Sequence, residues 1–140
     1  MNATDLMLGD WVLTLDSTHK EKVFAQVDAI EEGKHSILVT RECSNWFVDI
    51  DWIEPIPLTK EIIEKNFTLN EKYQEQFGDN HHFYYNIVPK YSSSIWNLVW
   101  IEGSNENCLL IEDDPLIHMK YVHELQHALK LCGISKEIIL

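Results

Sequence analysis

The sequence is short of basic residues. Its 140 residues include 11 Lys and Arg against 23 Asp and Glu, which gives a formal net charge of -12 at pH 7. Residues 1–56 hold 11 acidic and 4 basic side chains, and residues 57–140 hold 12 and 7, so the deficit is spread along the chain. Nucleic-acid affinity comes largely from Lys and Arg that displace counterions from phosphates. We therefore expect no nucleic-acid partner; an acidic DNA-mimic surface that binds a nucleic-acid-binding protein is the alternative.

Cysteine and glycine are also scarce, and neither is clustered. Cys43, Cys108 and Cys132 are widely spaced in apolar segments, a pattern typical of buried free thiols in a reducing compartment. The 5 isolated glycines form neither a phosphate-binding loop nor a dinucleotide fingerprint. No apolar run approaches the roughly 20 residues of a membrane helix, and residues 1–11 show no basic region followed by an apolar run. We expect a cytoplasmic protein with no cofactor and no membrane partner.

The first 56 residues do contain the alternation of short strands. The predicted strands are Asp10–Leu15, Lys22–Ile30, Ser36–Thr40 and Trp46–Ile53. In the last of these, apolar side chains from Trp46 to Trp52 share one face, and Asp49 and Asp51 share the other. Short strands in this number predict a small SH3-like β-barrel module over residues 1–57.

The next segment is predicted to link two modules. Pro55 and Pro57 end the strand region, and Thr59 is placed to cap a short helix at Lys60–Lys65. The polar stretch Asn66–Asn80 follows. We expect residues 58–80 to be a short helix and a linker.

Residues 81–140 are predicted to form an antiparallel sheet packed against one C-terminal helix, which makes the fold class α+β. The helix is expected at Pro115–Cys132, with Asp114 as its N-cap and Gly133 after its end. Glu137–Leu140 is a possible last strand. The other predicted strands are His82–Val88, Ser94–Glu102 and Cys108–Glu112.

One motif raises the question of a metal. The stretch YVHELQHAL contains His-Glu-x-x-His, in which His123 and His127 lie one helical turn apart and Glu124 would be the general base of a zinc-dependent hydrolase. Both imidazoles are predicted to point away from the buried face centred on Leu125. Only Glu137 follows as a further possible ligand, so we predict no metal and no catalytic residue, with the hydrolase as the alternative.

The strand IWNLVWI is apolar on both faces. Trp96, Leu98 and Trp100 share one face. A central strand covered on both sides is one interpretation. The other is that an indole is exposed to a protein partner, because aromatic residues are enriched at interfaces, and it makes Trp96 and Trp100 the predicted interaction residues.

Three segments carry a family resemblance: Leu8–Val12, Ile53–Thr59 continued by Glu61–Asn66, and Lys120–Leu129. In them the chain resembles a family of small uncharacterised Bacteroidetes proteins that often occur beside phage or mobile-element genes. Members commonly carry Gln and Asn at the positions of Glu124 and His127, which implies that the His-Glu-x-x-His helix is structural. No activity follows from the resemblance. We predict a non-enzymatic interaction or accessory protein that binds another protein or a second copy of itself.

Overall fold

The computed structural model describes residues 5–31, 33–87, 96–103, 108–111 and 115–140, with only the backbone for residues 96, 108–111, 115 and 116. The chain divides into two compact units, Met1–Ile56 and Pro57–Leu140. The fold class is α+β, as predicted.

The first unit contains a four-stranded antiparallel sheet. Its strands are β1 (Trp11–Leu15), β2 (Lys22–Ile30), β3 (Ser36–Arg41) and β4 (Ser44–Asp49), and they are neighbours in that order. Alternate side chains point into the core, as the period of two in the sequence predicts. The buried residues of this face include Val12, Ala25, Val27, Ile37, Val39 and Val48.

The sheet curls strongly. In a flat sheet the outer strands β1 and β4 would lie about 14 Å apart, three strand spacings. The indole nitrogen of Trp46 in β4 nevertheless donates to the carbonyl oxygen of Leu15 in β1 at 3.1 Å. Leu13 also exchanges two backbone hydrogen bonds with Glu54, at 3.0 and 2.8 Å. Within residues 5–31 and 33–56 the sheet is open, and a closed barrel is not seen.

The predicted strand Trp46–Ile53 is too long. It ends at Asp49, whose carboxylate accepts the backbone N–H of Asp51 at 2.9 Å and so caps a 3-10 turn at Ile50–Trp52. The turn breaks the alternation of side chains. Trp52 is therefore 44% exposed instead of sharing the buried face.

Thr14 is a polar residue on the buried face of β1. It is 1% exposed, and its hydroxyl has no hydrogen-bond partner among the residues that the structure describes. A buried hydroxyl without a partner lowers stability through its lost hydration. We expect Thr14→Val to raise the free energy of unfolding by about 1 kcal/mol in urea denaturation. Thr40→Val is the control, since the Thr40 hydroxyl donates to the Ser44 carbonyl, and a loss of stability in Thr14→Val would contradict the assignment.

The second unit contains another four-stranded antiparallel sheet. Its strands are β5 (His82–Ile87), β6 (Trp96–Ile101), β7 (Cys108–Ile111) and β8 (Pro115–Met119), again neighbours in chain order. The first three overlap the predicted strands. The predicted ends at Val88, Ser94 and Glu112 lie outside the described residues.

Three helices are present in the described part of this unit: α1 (Lys60–Asn66), α2 (Glu71–Phe77) and α3 (Val122–Leu131). Thr59 caps α1 as predicted. The polar stretch that follows is not only a linker, because Asn70 accepts the Tyr73 N–H at 3.1 Å and so starts α2, which lies against β5. Residues 58–80 are thus part of the second unit. No helix in the described part of the chain is long and apolar enough to cross a membrane.

The predicted helix Pro115–Cys132 begins too early. Pro115–Met119 is the edge strand β8, whose His118 pairs with Leu109 of β7, and proline is tolerated at the first residue of an edge strand. The helix starts at Val122 with Tyr121 as its N-cap. The predicted cap Asp114 lies outside the described residues.

The predicted strand Glu137–Leu140 does not form. Instead the side-chain amide of Asn66 pairs with the backbone of Ile139: Nδ2 donates to its carbonyl at 2.7 Å, and Oδ1 accepts its N–H at 2.7 Å. The amide thereby takes the place of a neighbouring strand, and Ile134 and Ile138 are buried.

The prediction of buried cysteines is wrong for Cys43, which is exposed in the tight turn between β3 and β4. Cys132 is partly exposed, and the side chain of Cys108 is not described. Neither Cys43 nor Cys132 takes part in a disulfide among the described residues.

Candidate functional site

The His-Glu-x-x-His motif lies in the first turns of α3. His127 is partly exposed, but His123 is only 6% exposed, so the prediction that both imidazoles face away from the core is wrong for His123. The ring of Tyr121 stacks on His123, with centroids 5.8 Å apart and an interplanar angle of 10°, which covers an imidazole that helical periodicity alone leaves in solvent. The two imidazole centroids are 5.7 Å apart.

Glu124 has a structural task. Its Oε2 accepts the backbone N–H of Lys120 at 2.6 Å and of Tyr121 at 3.1 Å, which forms the glutamate half of a capping box at the start of α3. A carboxylate held in this way faces the backbone rather than a metal-bound water. Among the described residues, one group of three His, Cys, Asp or Glu side chains has the spacing of metal ligands. That group contains no residue of α3.

Removing the Glu124 carboxylate tests whether it caps α3 or serves as the general base of a hydrolase. We expect Glu124→Ala to lower the free energy of unfolding by about 1 kcal/mol, the usual worth of a helix cap. The measurement is urea denaturation followed by circular dichroism. Glu137→Ala, which also removes one carboxylate, is the control. Unchanged stability in Glu124→Ala, together with stoichiometric zinc in the wild-type protein that His127→Ala loses, would instead support the hydrolase.

The tryptophans of β6 are only partly described. Trp100 is 6% exposed, and its indole nitrogen donates to Glu102 at 2.9 Å. Asn97, Leu98 and Val99 are also buried, so this strand is covered on both faces. The side chain of Trp96 lies outside the described residues. The Trp100 ring is therefore too deeply buried to contact a partner.

The first unit has an exposed aromatic surface that sequence reasoning missed. Trp52, in the 3-10 turn, meets the ring of His19 edge to face, with centroids 5.0 Å apart at 71°. Asp49 and Asp51 precede Trp52 in the chain, and their carboxylates contact the imidazole of His35, which lies in the loop between β2 and β3. We call these five residues the Trp52 surface. The one sequence signal for it was an aromatic residue immediately after two strand-end aspartates.

The loop that carries His19 is fixed by Asp16. Its carboxylate accepts the backbone N–H groups of Thr18 and Lys20, at 3.2 and 3.0 Å, and the Thr18 hydroxyl. The hydrogen bond from the Lys20 backbone and then that from Thr18 hold the pKa of Asp16 below its usual range. His19 itself has a φ of 58°, so the loop is tightly turned and presents its ring in a set place.

His35 joins the two aspartates of the turn. Its Nε2 lies 3.0 Å from Asp51 Oδ2 and 3.4 Å from Asp49 Oδ1. The hydrogen bond to Asp51, and then the charges of Asp49 and Asp51, raise the pKa of His35 above its ordinary value. The three groups have the spacing of metal ligands. His35 and Asp51 are exposed and hydrogen-bonded to each other, and exposed acidic groups commonly have this spacing without a metal, so we assign a surface hydrogen-bonded cluster.

Phe67 lines two open clefts in the described part of the second unit. The larger, of about 500 Å³, contains one charged residue, Lys136, whose Nζ lies 5.8 Å from the Phe67 ring centroid. The smaller, of about 320 Å³, contains Glu64 and Tyr85, whose side chains lie 3.3 Å apart. Among the described residues that line these clefts, no set combines a nucleophile, a base and an oxyanion donor.

Comparisons with known proteins add no family. No protein-family model, no curated protein and no solved structure matches this chain. The resemblance to the Bacteroidetes family stays a prediction.

Proposed function

We propose that the protein acts without catalysis, by binding another protein through the Trp52 surface of its first unit. The observation that carries the proposal is the exposed, fixed pair of His19 and Trp52. Large aromatic residues with restricted freedom are the side chains that most often anchor protein interfaces. The expected interaction residues Trp96 and Trp100 are a weaker basis, because Trp100 is buried.

The proposal includes an SH3-like barrel for the first unit. The strand order, the 3-10 turn after β4 and the return of Glu54 to Leu13 of β1 support it, because together they bring a fifth extended segment to the edge of β1. Barrels of this size often serve as docking modules. A cytoplasmic location, and the absence of nucleic-acid and membrane partners, are also proposed, and they rest on the charge of -12 and on the composition.

Site-specific photo-crosslinking tests the proposal. A benzophenone amino acid is placed at Trp52 and, as a matched control, at Phe47, which is 59% exposed in β4 of the same unit. Irradiation in the host cell is expected to give a defined protein adduct from position 52 and none from position 47. Adducts from both positions alike, or from neither, would reject the Trp52 surface. An adduct with a second copy of the chain would show self-association, the other form of partner that the composition allows.

A further inference from the structure

We propose that the larger cleft of the second unit binds a small organic carboxylate that carries an aromatic ring. Lys136 binds the carboxylate, and Phe67 packs against the ring. The volume of the cleft, about 500 Å³, is within the roughly 300–1,000 Å³ of small-molecule sites. This site belongs to the second unit alone, and the inference does not depend on the Trp52 surface.

Hydrogen bonds hold the walls of the cleft in place. One wall follows the end of α1 and another is the end of β5, and the Asn86 N–H of β5 donates to the Thr68 carbonyl at 2.8 Å. The third wall is the segment after α3. The side-chain amide of Asn66 anchors that segment through its two hydrogen bonds to Ile139. A site whose walls are fixed before the ligand arrives avoids the entropic cost of ordering them.

The charge of the cleft favours a monoanion. Lys136 is the one charged residue among the described residues of the lining, so a negative group is attracted there. The chain as a whole has a net charge of -12 and repels a highly charged anion. A phosphate would bring a second negative charge for which the described lining has no second cation. A carboxylate is therefore the better match.

The Lys136 ammonium has hydrogen-bond donors that a ligand can use. Among the described residues it makes no ion pair, whereas Lys22 and Lys60 each pair with a glutamate. Its contact is with the Phe67 ring, whose centroid lies 5.8 Å from Nζ, close to the limit of about 6 Å for a cation–π interaction. An ammonium has three N–H donors. A ligand carboxylate can accept from them without breaking an intramolecular ion pair.

One small ligand reaches both groups. A charge-assisted hydrogen bond places the carboxylate oxygen about 2.8 Å from Nζ. Packed aromatic rings have centroids about 4.5–7 Å apart, a range that includes the 5.8 Å from Nζ to the Phe67 centroid. A carboxylate joined to a phenyl ring through one carbon therefore spans the two contacts. Ile87 and Ile134 are also lining residues and make the surroundings of the ring apolar.

NMR titration of the full chain tests the site. Phenylacetate is the probe, phenylacetamide has the same ring without the charge, and acetate has the charge without the ring. Phenylacetate is expected to shift the signals of Phe67 and Lys136 in a saturable way, with about millimolar affinity and about fivefold tighter than either control. Inorganic phosphate should bind no more tightly than acetate. Equal binding of phenylacetate and phenylacetamide, tighter binding of phosphate, or no saturable shift at these residues would overturn the proposal.

Variants of Lys136 identify the cation. Lys136→Gln is expected to weaken phenylacetate binding about fivefold, and Lys136→Arg, which keeps the charge, should retain it. Lys72→Gln removes another exposed lysine of the second unit, outside the described lining, and should leave binding unchanged. An equal loss in Lys72→Gln would mean that net charge alone governs binding and would contradict the site.

A variant of Phe67 tests the ring contact. Phe67→Leu keeps an apolar side chain and is expected to weaken phenylacetate binding about fivefold while acetate binding stays the same. Phe77→Leu, at a position of α2 that is 52% exposed, is the control and should have no effect. If Phe67→Leu does not fold, the variants of exposed Lys136 decide the question. Unchanged phenylacetate binding in folded Phe67→Leu would refute the assignment of the ring.

Discussion

Replacing Leu125 by alanine is expected to lower the free energy of unfolding of the second unit by about 3 kcal/mol or more. Leu125 is 0% exposed in the middle of α3, where its neighbours Val122 and Leu129 are buried as well. Deleting three carbons there removes apolar burial and leaves a cavity that fixed backbone cannot fill. Urea denaturation, read by circular dichroism, measures the loss.

Leu131→Ala is the matched control on the same helix. Leu131 is 82% exposed, so the same chemical change should cost no more than about 0.5 kcal/mol. Comparable losses in the two variants would mean that the helix buries a different face. Because the helix propensities of Leu and Ala are alike, the difference between the variants reports burial alone.

The buried face of α3 could be read from the sequence because it depends on local periodicity. Residues at helical spacing around Leu125, such as Val122 and Leu129, are buried as the spacing predicts. The start of the helix could not be read in the same way. Asp114 and Pro115 are good helix-start residues, but backbone pairing of Pro115–Met119 with β7 competes with them. Whether residues 115–119 form a strand or the start of a helix therefore depends on pairing within the sheet, which local periodicity does not reveal.

The end of β4 shows a different limit. Apolar alternation continues through Trp52, so a period of two cannot reveal that the strand stops at Asp49. The stop comes from one side-chain hydrogen bond, from the Asp51 N–H to Asp49. Aspartate commonly makes such local bonds, which compete with strand pairing. Asp49 and Asp51, which the alternation places on one face of a strand, instead form a turn, and Trp52 is exposed as a consequence.

The Trp52 surface could not be assembled from sequence. His19 lies between β1 and β2, His35 lies just before β3, and Trp52 follows β4. Only the curl of the sheet brings such segments together, and it depends on packing of the whole core. The His-Glu-x-x-His motif shows the reverse case. Its spacing is evident in the sequence and suggests a metal site, but in the structure the glutamate accepts backbone N–H groups at the start of α3.

Asn66→Ala is expected to cost about 2–4 kcal/mol of unfolding free energy, a large effect for a single amide. Asn66 is 7% exposed and makes three hydrogen bonds: Nδ2 donates to Ile62 and to Ile139, and Oδ1 accepts the Ile139 N–H. Alanine leaves the N–H and carbonyl of Ile139 without these partners and loosens the segment that buries Ile138. Asn45→Ala, at an exposed position of β4, is the control and should cost little.

Hydrogen exchange distinguishes local loss of the Asn66–Ile139 hydrogen bonds from a general loss of stability. In Asn66→Ala the amide of Ile139 should lose protection first, because Asn66 Oδ1 is its acceptor, while the amides of β6 keep theirs under native conditions. Asn66→Asp sharpens the test. Its carboxylate still accepts from Ile139 but turns an oxygen toward the carbonyls of Ile62 and Ile139, where Nδ2 had donated. That variant should be destabilised at neutral pH and recover partly in acid, where a protonated carboxyl can donate again. Equal exchange at Ile139 in wild type and Asn66→Ala would show that buried Ile138 holds this segment without the amide.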